Sequence, residues 1–99
     1  WNMHGHQVVT HLAPDRMAAV HNPVDGRDVP VPHFGLILTI AEFHKLSDRL
    51  RAAGAEFVIE PYVRFSGETG EQWTMFLLDP AGNALEFKAF ADDSQVFAT

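Results

Sequence analysis

DPAGNALEFKAF, residues 79–90, decides the reading of this chain. Asp79-Pro80 and Gly82-Asn83 are turn-forming dipeptides. The residues after them alternate, with Leu85, Phe87 and Ala89 on one face and Ala84, Glu86 and Lys88 on the other. This predicts a strand entered from a tight turn, apolar toward a core and carrying a carboxylate on its other side. Upstream, HFGLILTI at 33–40 alternates in the same way: Phe34, Leu36 and Leu38 on one side, His33, Gly35, Ile37 and Thr39 on the other. An imidazole and a carboxylate therefore sit on non-core faces of two strands, and these are ligand types that hold a catalytic divalent metal.

Between those two strands the best-signalled element is a helix over roughly 41–53. Thr39 and Glu42 form a capping box, Phe43, Leu46 and Leu50 recur at helical spacing, and Gly54 stands where the C′ residue belongs. EFVIEPYVRF reads as a strand interrupted or turned at Pro61, and QWTMFLLD as its neighbour, joined through SGETGE. If the helix covers the face carrying Leu36, Leu38, Leu85 and Phe87, then His33 and Glu86 project together from the opposite, concave side. Before His33, GHQVVTHL (5–12) reads as a strand with Gln7, Val9 and His11 on one face. Residues 13–32, punctuated by Pro14, Pro23, Gly26, Pro30 and Pro32, read as an extended linker with one helical turn near DRMAAV. Residues 91–99 form a tail.

A chain of 99 residues has room for one small domain. Its net charge of −6 and scattered basic residues argue against nucleic acid or an anionic membrane as partner, which leaves a small molecule or another protein chain. The absence of cysteine excludes a disulfide framework, a thiolate metal site and a cysteine nucleophile. There is no apolar run of membrane-spanning length and no signal-peptide pattern, so a soluble, cytoplasmic protein is expected. The chain opens on Trp1 and passes at once into strand-like sequence, as if it began in the middle of a fold.

A β-α-β-β-β order that opens on His33 in HFGLIL and closes on DPAGNALEF resembles one module of the vicinal-oxygen-chelate superfamily, which comprises glyoxalases, bleomycin-resistance proteins and extradiol dioxygenases. The resemblance implies an α+β, glyoxalase-like βαβββ module over 33–90. It makes 1–12 the last strand of an otherwise incomplete first module and 13–32 the linker between modules. In such families two modules pair into a cup, and metal ligands come from the first and last strands of each. His33 and Glu86 carry over as ligands on that pattern. Laying Gly5 on Gly82 puts Val9 at the position of Glu86, so the acidic counterpart is lost; His11, two residues on and on the same face, is the candidate substitute. The metal would be Fe2+, Mn2+, Zn2+ or Ni2+, and further ligands would come from His11, a second copy, or residues upstream.

Each candidate has a plainer alternative. Glu86 could be a solvated strand carboxylate paired with Lys88 or an arginine, His33 a strand-end histidine bonded locally, and His6 and His11 half-buried strand residues. His4, His21 and His44 read as surface residues. Tyr62, Arg64 and Lys88 could orient an anionic substrate. The resemblance implies a metal-dependent lyase, isomerase or dioxygenase acting on a small oxygenated substrate, paired as a homodimer. Against it stand a metal-free binder of the bleomycin-resistance type, with a cavity of Trp73, Phe76 and Phe65, and an inactive truncated member.

Overall fold

The computed structural model describes residues 2–9, 20–24 and 26–97. Its centre is a four-stranded sheet of β5 (His33–Ile37), β6 (Phe57–Arg64), β7 (Gln72–Leu78) and β8 (Ala84–Phe90), in the order β5-β8-β7-β6. β5 runs parallel to β8, and the other two pairings are antiparallel. The helix α1 (Ile40–Ala52) connects β5 to β6. The fold is a small α+β arrangement with the expected order β-α-β-β-β.

Local chemistry sets the ends of α1. The Thr39 hydroxyl accepts from the Glu42 amide at 3.2 Å and the Glu42 carboxylate accepts from the Thr39 amide at 3.0 Å, so the capping box is formed. At the other end, Gly54 takes the left-handed conformation at φ 76°. Its amide bonds Arg51 O and that of Ala55 bonds Leu50 O, each at 3.0 Å, which is the paired bonding of a Schellman stop. The helix buries Phe43 completely. It packs Ile40, Leu46 and Leu50 over a sheet face of Leu36, Leu38, Trp73, Met75, Leu77, Leu85, Phe87 and Ala89. Burying a phenylalanine of this kind stabilises by about 1.5–3 kcal/mol. Alternation in β5 and β8 therefore resolves into core and non-core faces as expected, and β7 divides in the same way.

Pro61 does not interrupt β6. The strand runs through it, and the irregularity appears as a register shift between Ile59 and Tyr62. β6 is a sheet edge, where a residue without an amide proton is tolerated. β5 is shorter than the alternation of HFGLILTI suggests, because Thr39 is already the helix cap.

The proline-punctuated stretch is more ordered than an open linker. β3 (Val20–Val24) and β4 (Arg27–Val31) pair as an antiparallel hairpin around Gly26, at φ 73°. Val29 of this hairpin is buried with Ile59 and Phe76, against Tyr62, on the sheet face opposite the helix. The Arg27 guanidinium lies 3.6 Å above the Tyr62 ring. Prolines do not prevent the hairpin, because a free-standing ladder needs only every other amide. Of the expected strand at 5–12, His6–Gln7 (β2) pairs with Asn2–Met3 (β1) across a His4-Gly5 turn. Residues 10–12, including His11, and most of the helical turn expected near DRMAAV lie outside the described residues. Beyond β8 the expected tail carries a short 3₁₀ turn, Asp93–Gln95. Among the described residues no helix is long and apolar enough to cross a membrane.

Candidate functional site

His33 and Glu86 meet on the sheet face that the helix leaves uncovered. Parallel pairing sets Gly35 beside Glu86 and His33 beside Ala84, so the first side chain of β5 reaches forward to the third of β8. His33 Nε2 lies 2.9 Å from Glu86 Oε2. The approach of the two strands depends on Gly35: a β-carbon there would lie 1.5 Å from the carbonyl oxygen of Glu86.

The hairpin orients the imidazole. His33 Nδ1 is 2.9 Å from the carbonyl oxygen of Pro30. That oxygen can only accept, so Nδ1 carries the proton of this bond. The Phe76 ring meets the imidazole edge-on, with centroids 5.0 Å apart and planes at 75°. Ring position and tautomer are therefore both constrained, and Nε2 is directed at the carboxylate.

Glu86 is 8% exposed. Burial of a carboxylate is costly unless it is paired and hydrogen-bonded, and here both oxygens are engaged. Oε2 faces His33. Oε1 is 3.0 Å from Lys88 Nζ and accepts from the Thr74 hydroxyl at 3.3 Å. Thr74 stands opposite Lys88 in the β7–β8 register, and Phe76 opposite Glu86, so this cluster occupies one face by alternation.

The donors suit a divalent cation in kind. With Nδ1 donating to Pro30, a neutral ring turns the Nε2 lone pair toward Glu86 Oε2. Two acceptors 2.9 Å apart need a shared proton or a cation between them. A second ring proton can fill that role, and so can a metal ion. A ligating histidine whose other nitrogen donates to a backbone carbonyl is the usual outer-shell support of a metal site. In number, the structure brings together a pair: among the described residues no group of three or more His, Cys, Asp or Glu side chains converges. His11 lies outside the described residues.

Trp73, Phe76 and Phe65 do not share a cavity. Trp73 and Phe76 have opposite parity in β7, and Trp73 faces the helix side, its ring 6.1 Å from Phe43 and 4.8 Å from His44. Phe65 is 44% exposed at φ 55° beyond the end of β6. Sequence reasoning also missed Pro30 and Thr74. A backbone carbonyl carries no side-chain signal, and a threonine in a strand has no reason to stand out until its neighbour is known.

A family model for the glyoxalase/bleomycin resistance protein/dioxygenase superfamily matches residues 3–87. Among solved structures, the chain is similar to a glyoxalase/bleomycin resistance protein/dioxygenase from Alicyclobacillus acidocaldarius, with a TM-score of 0.62 and 24% identity, over 89% of this chain and 76% of that one. That likeness speaks for the fold. No curated protein matches the chain.

Proposed function

The chain belongs to the glyoxalase/bleomycin resistance protein/dioxygenase superfamily, and from that premise we propose that it is a divalent-metal-dependent enzyme acting on a small oxygenated substrate. The observation that carries this reading is the 2.9 Å approach of His33 Nε2 to Glu86 Oε2, with the ring's other nitrogen on the Pro30 carbonyl. His33 and Glu86 would hold the cation, and Pro30 and Phe76 keep the imidazole in place. When bound, the cation supplies Lewis acidity toward adjacent oxygens of the substrate. Lys88 adds a positive charge on the same face, suited to an anionic group.

The remaining ligands are assigned to His11 or to a second copy in a homodimer. β5 is an edge of the four-stranded sheet, with Phe34 and Ile37 exposed on it, which supports association through that side. Residues 1–12 are read as the last strand of a preceding module. The support is local: Gly5 and Gly82 share a φ of 86°, and Asn2 Oδ1 accepts from the Gly5 amide much as Asp79 Oδ1 accepts from the amides of Ala81 and Asn83.

One observation favours a second reading, a metal-free binder of small molecules. Glu86 already has Lys88 and His33 as partners and needs no further cation for charge balance. Elemental analysis of the purified chain, with light scattering for its mass, separates the two. Near-stoichiometric metal that is lost in both His33→Ala and Glu86→Ala supports the enzyme reading. Metal-free protein that takes up none of the four candidate cations refutes it.

A further inference from the structure

The buried carboxylate at this site has a resident cation. Lys88 and Glu86 are two residues apart in β8, so alternation puts them on one face, and Lys88 Nζ reaches back to within 3.0 Å of Oε1. The Thr74 hydroxyl donates to the same oxygen at 3.3 Å. Oε2 is left to His33. The two oxygens are thus divided between an ammonium and an imidazole.

Two consequences follow from this division. First, only Oε2 is free to join His33 Nε2 in holding a cation, which favours ligation through one oxygen. Second, a divalent cation arriving at this carboxylate meets an ammonium already on it. The side chain of Glu86 is 9% exposed and that of Lys88 32%, so water and salt screen their repulsion less than at an open surface.

We propose that Lys88 is a positioning residue that sets the affinity of the His33–Glu86 pair for divalent cations, by competing with them for the Glu86 carboxylate. The proposal rests on the metal reading of the site. It goes beyond that reading by naming what limits occupancy: a charge within the fold, which a substitution can remove while leaving both ligands in place.

The test uses the full chain and Zn2+ as the probe, titrated calorimetrically into wild type, Lys88→Met, Lys88→Arg and the double variant Lys88→Met/Glu86→Gln. Lys88→Met keeps the length of the stem and removes the charge. It should bind Zn2+ about tenfold or more tightly than wild type, as expected for loss of one like charge near a poorly screened site. Lys88→Arg keeps the charge and should stay near wild type. The gain should vanish in the double variant, because Lys88 acts through the Glu86 carboxylate. Thermal melting gives a second readout: Lys88→Met without metal should melt lower than wild type, since Glu86 loses a partner, and Zn2+ should raise its midpoint more.

Lys88→Met binding no tighter than wild type, while His33→Ala and Glu86→Ala lose Zn2+, overturns the proposal and leaves the metal reading standing. Absence of Zn2+ binding in both wild type and Lys88→Met overturns both. A gain that survives loss of the Glu86 carboxylate also overturns the proposal, because it belongs to another site. Should Lys88→Met fail to fold, Lys88→Gln makes the same comparison.

Discussion

Gly35→Ala tests whether the close approach of β5 to β8 builds the site. The added β-carbon would lie 1.5 Å from Glu86 O, 2.5 Å from its carbonyl carbon and 3.0 Å from its nitrogen. The obstacle is the backbone of a paired strand, which cannot swing aside as a side-chain tip would. Restoring even a 3.0 Å contact requires a shift of about 1.5 Å, which takes neighbouring ladder bonds of about 2.9 Å beyond useful length. Two such bonds contribute about 1 kcal/mol each, and forced overpacking adds about 1–3 kcal/mol. The lower freedom of alanine in the unfolded chain offsets about 0.4–1 kcal/mol. The net expectation is a loss of about 2–4.6 kcal/mol, or roughly 10–35 °C in melting midpoint for a domain of this size. Urea unfolding followed by tryptophan fluorescence, with Trp73 packed against Phe43, measures it. Zn2+ affinity should fall as well, because the shift separates His33 from Glu86. A Gly35→Ala variant within about 0.5 kcal/mol of wild type, and equally able to bind metal, would refute the reasoning.

Other expectations concern single contacts. Phe43→Ala empties a fully buried position between helix and sheet and should cost about 3–5 kcal/mol in urea unfolding. Thr39→Ala removes the hydroxyl that accepts from the Glu42 amide and should cost about 1 kcal/mol, with earlier loss of helical circular dichroism on heating. The backbone amide of Thr39 holds the Glu42 carboxyl below its ordinary range, assisted by His4 and the Thr39 hydroxyl, against a smaller opposing effect of desolvation. A lowered folded-state value means the contribution is complete above the unfolded-state value and is lost as pH falls through the folded one; Glu42→Gln should therefore flatten the acid limb of the stability profile. Thr74→Val keeps the shape of a buried side chain but removes a hydrogen bond to Glu86, and should cost about 1–2 kcal/mol by the same unfolding assay.

Much of this molecule is legible without coordinates because much of it is local. A capping box spans four residues, a C-terminal glycine acts within one turn, and alternation assigns faces one residue at a time. Hence α1, the core faces of β5 and β8, and the shared parity of His33 and Glu86 can all be read from the chain. The neighbours of those elements cannot. The hairpin of 20–31 has the composition of a linker, and only burial of Val29 against Ile59, Phe76 and Tyr62 reveals it as a layer over the sheet. Trp73 and Phe76 look like members of one aromatic group until strand parity sends them to opposite faces.

Sequence alone therefore determined the types of the ligand candidates and the side of each strand they occupy, since side-chain direction follows from backbone period. Tertiary structure decided that β5 lies parallel beside β8, that the Pro30 carbonyl selects the ring nitrogen of His33 that carries the proton, and that Lys88 and Thr74 share Glu86 Oε1. The physical reason is the range of the interactions. Turns, caps and alternation are settled among near neighbours, whereas strand order and the partners of a buried charge are settled by the burial of surfaces far apart in the chain.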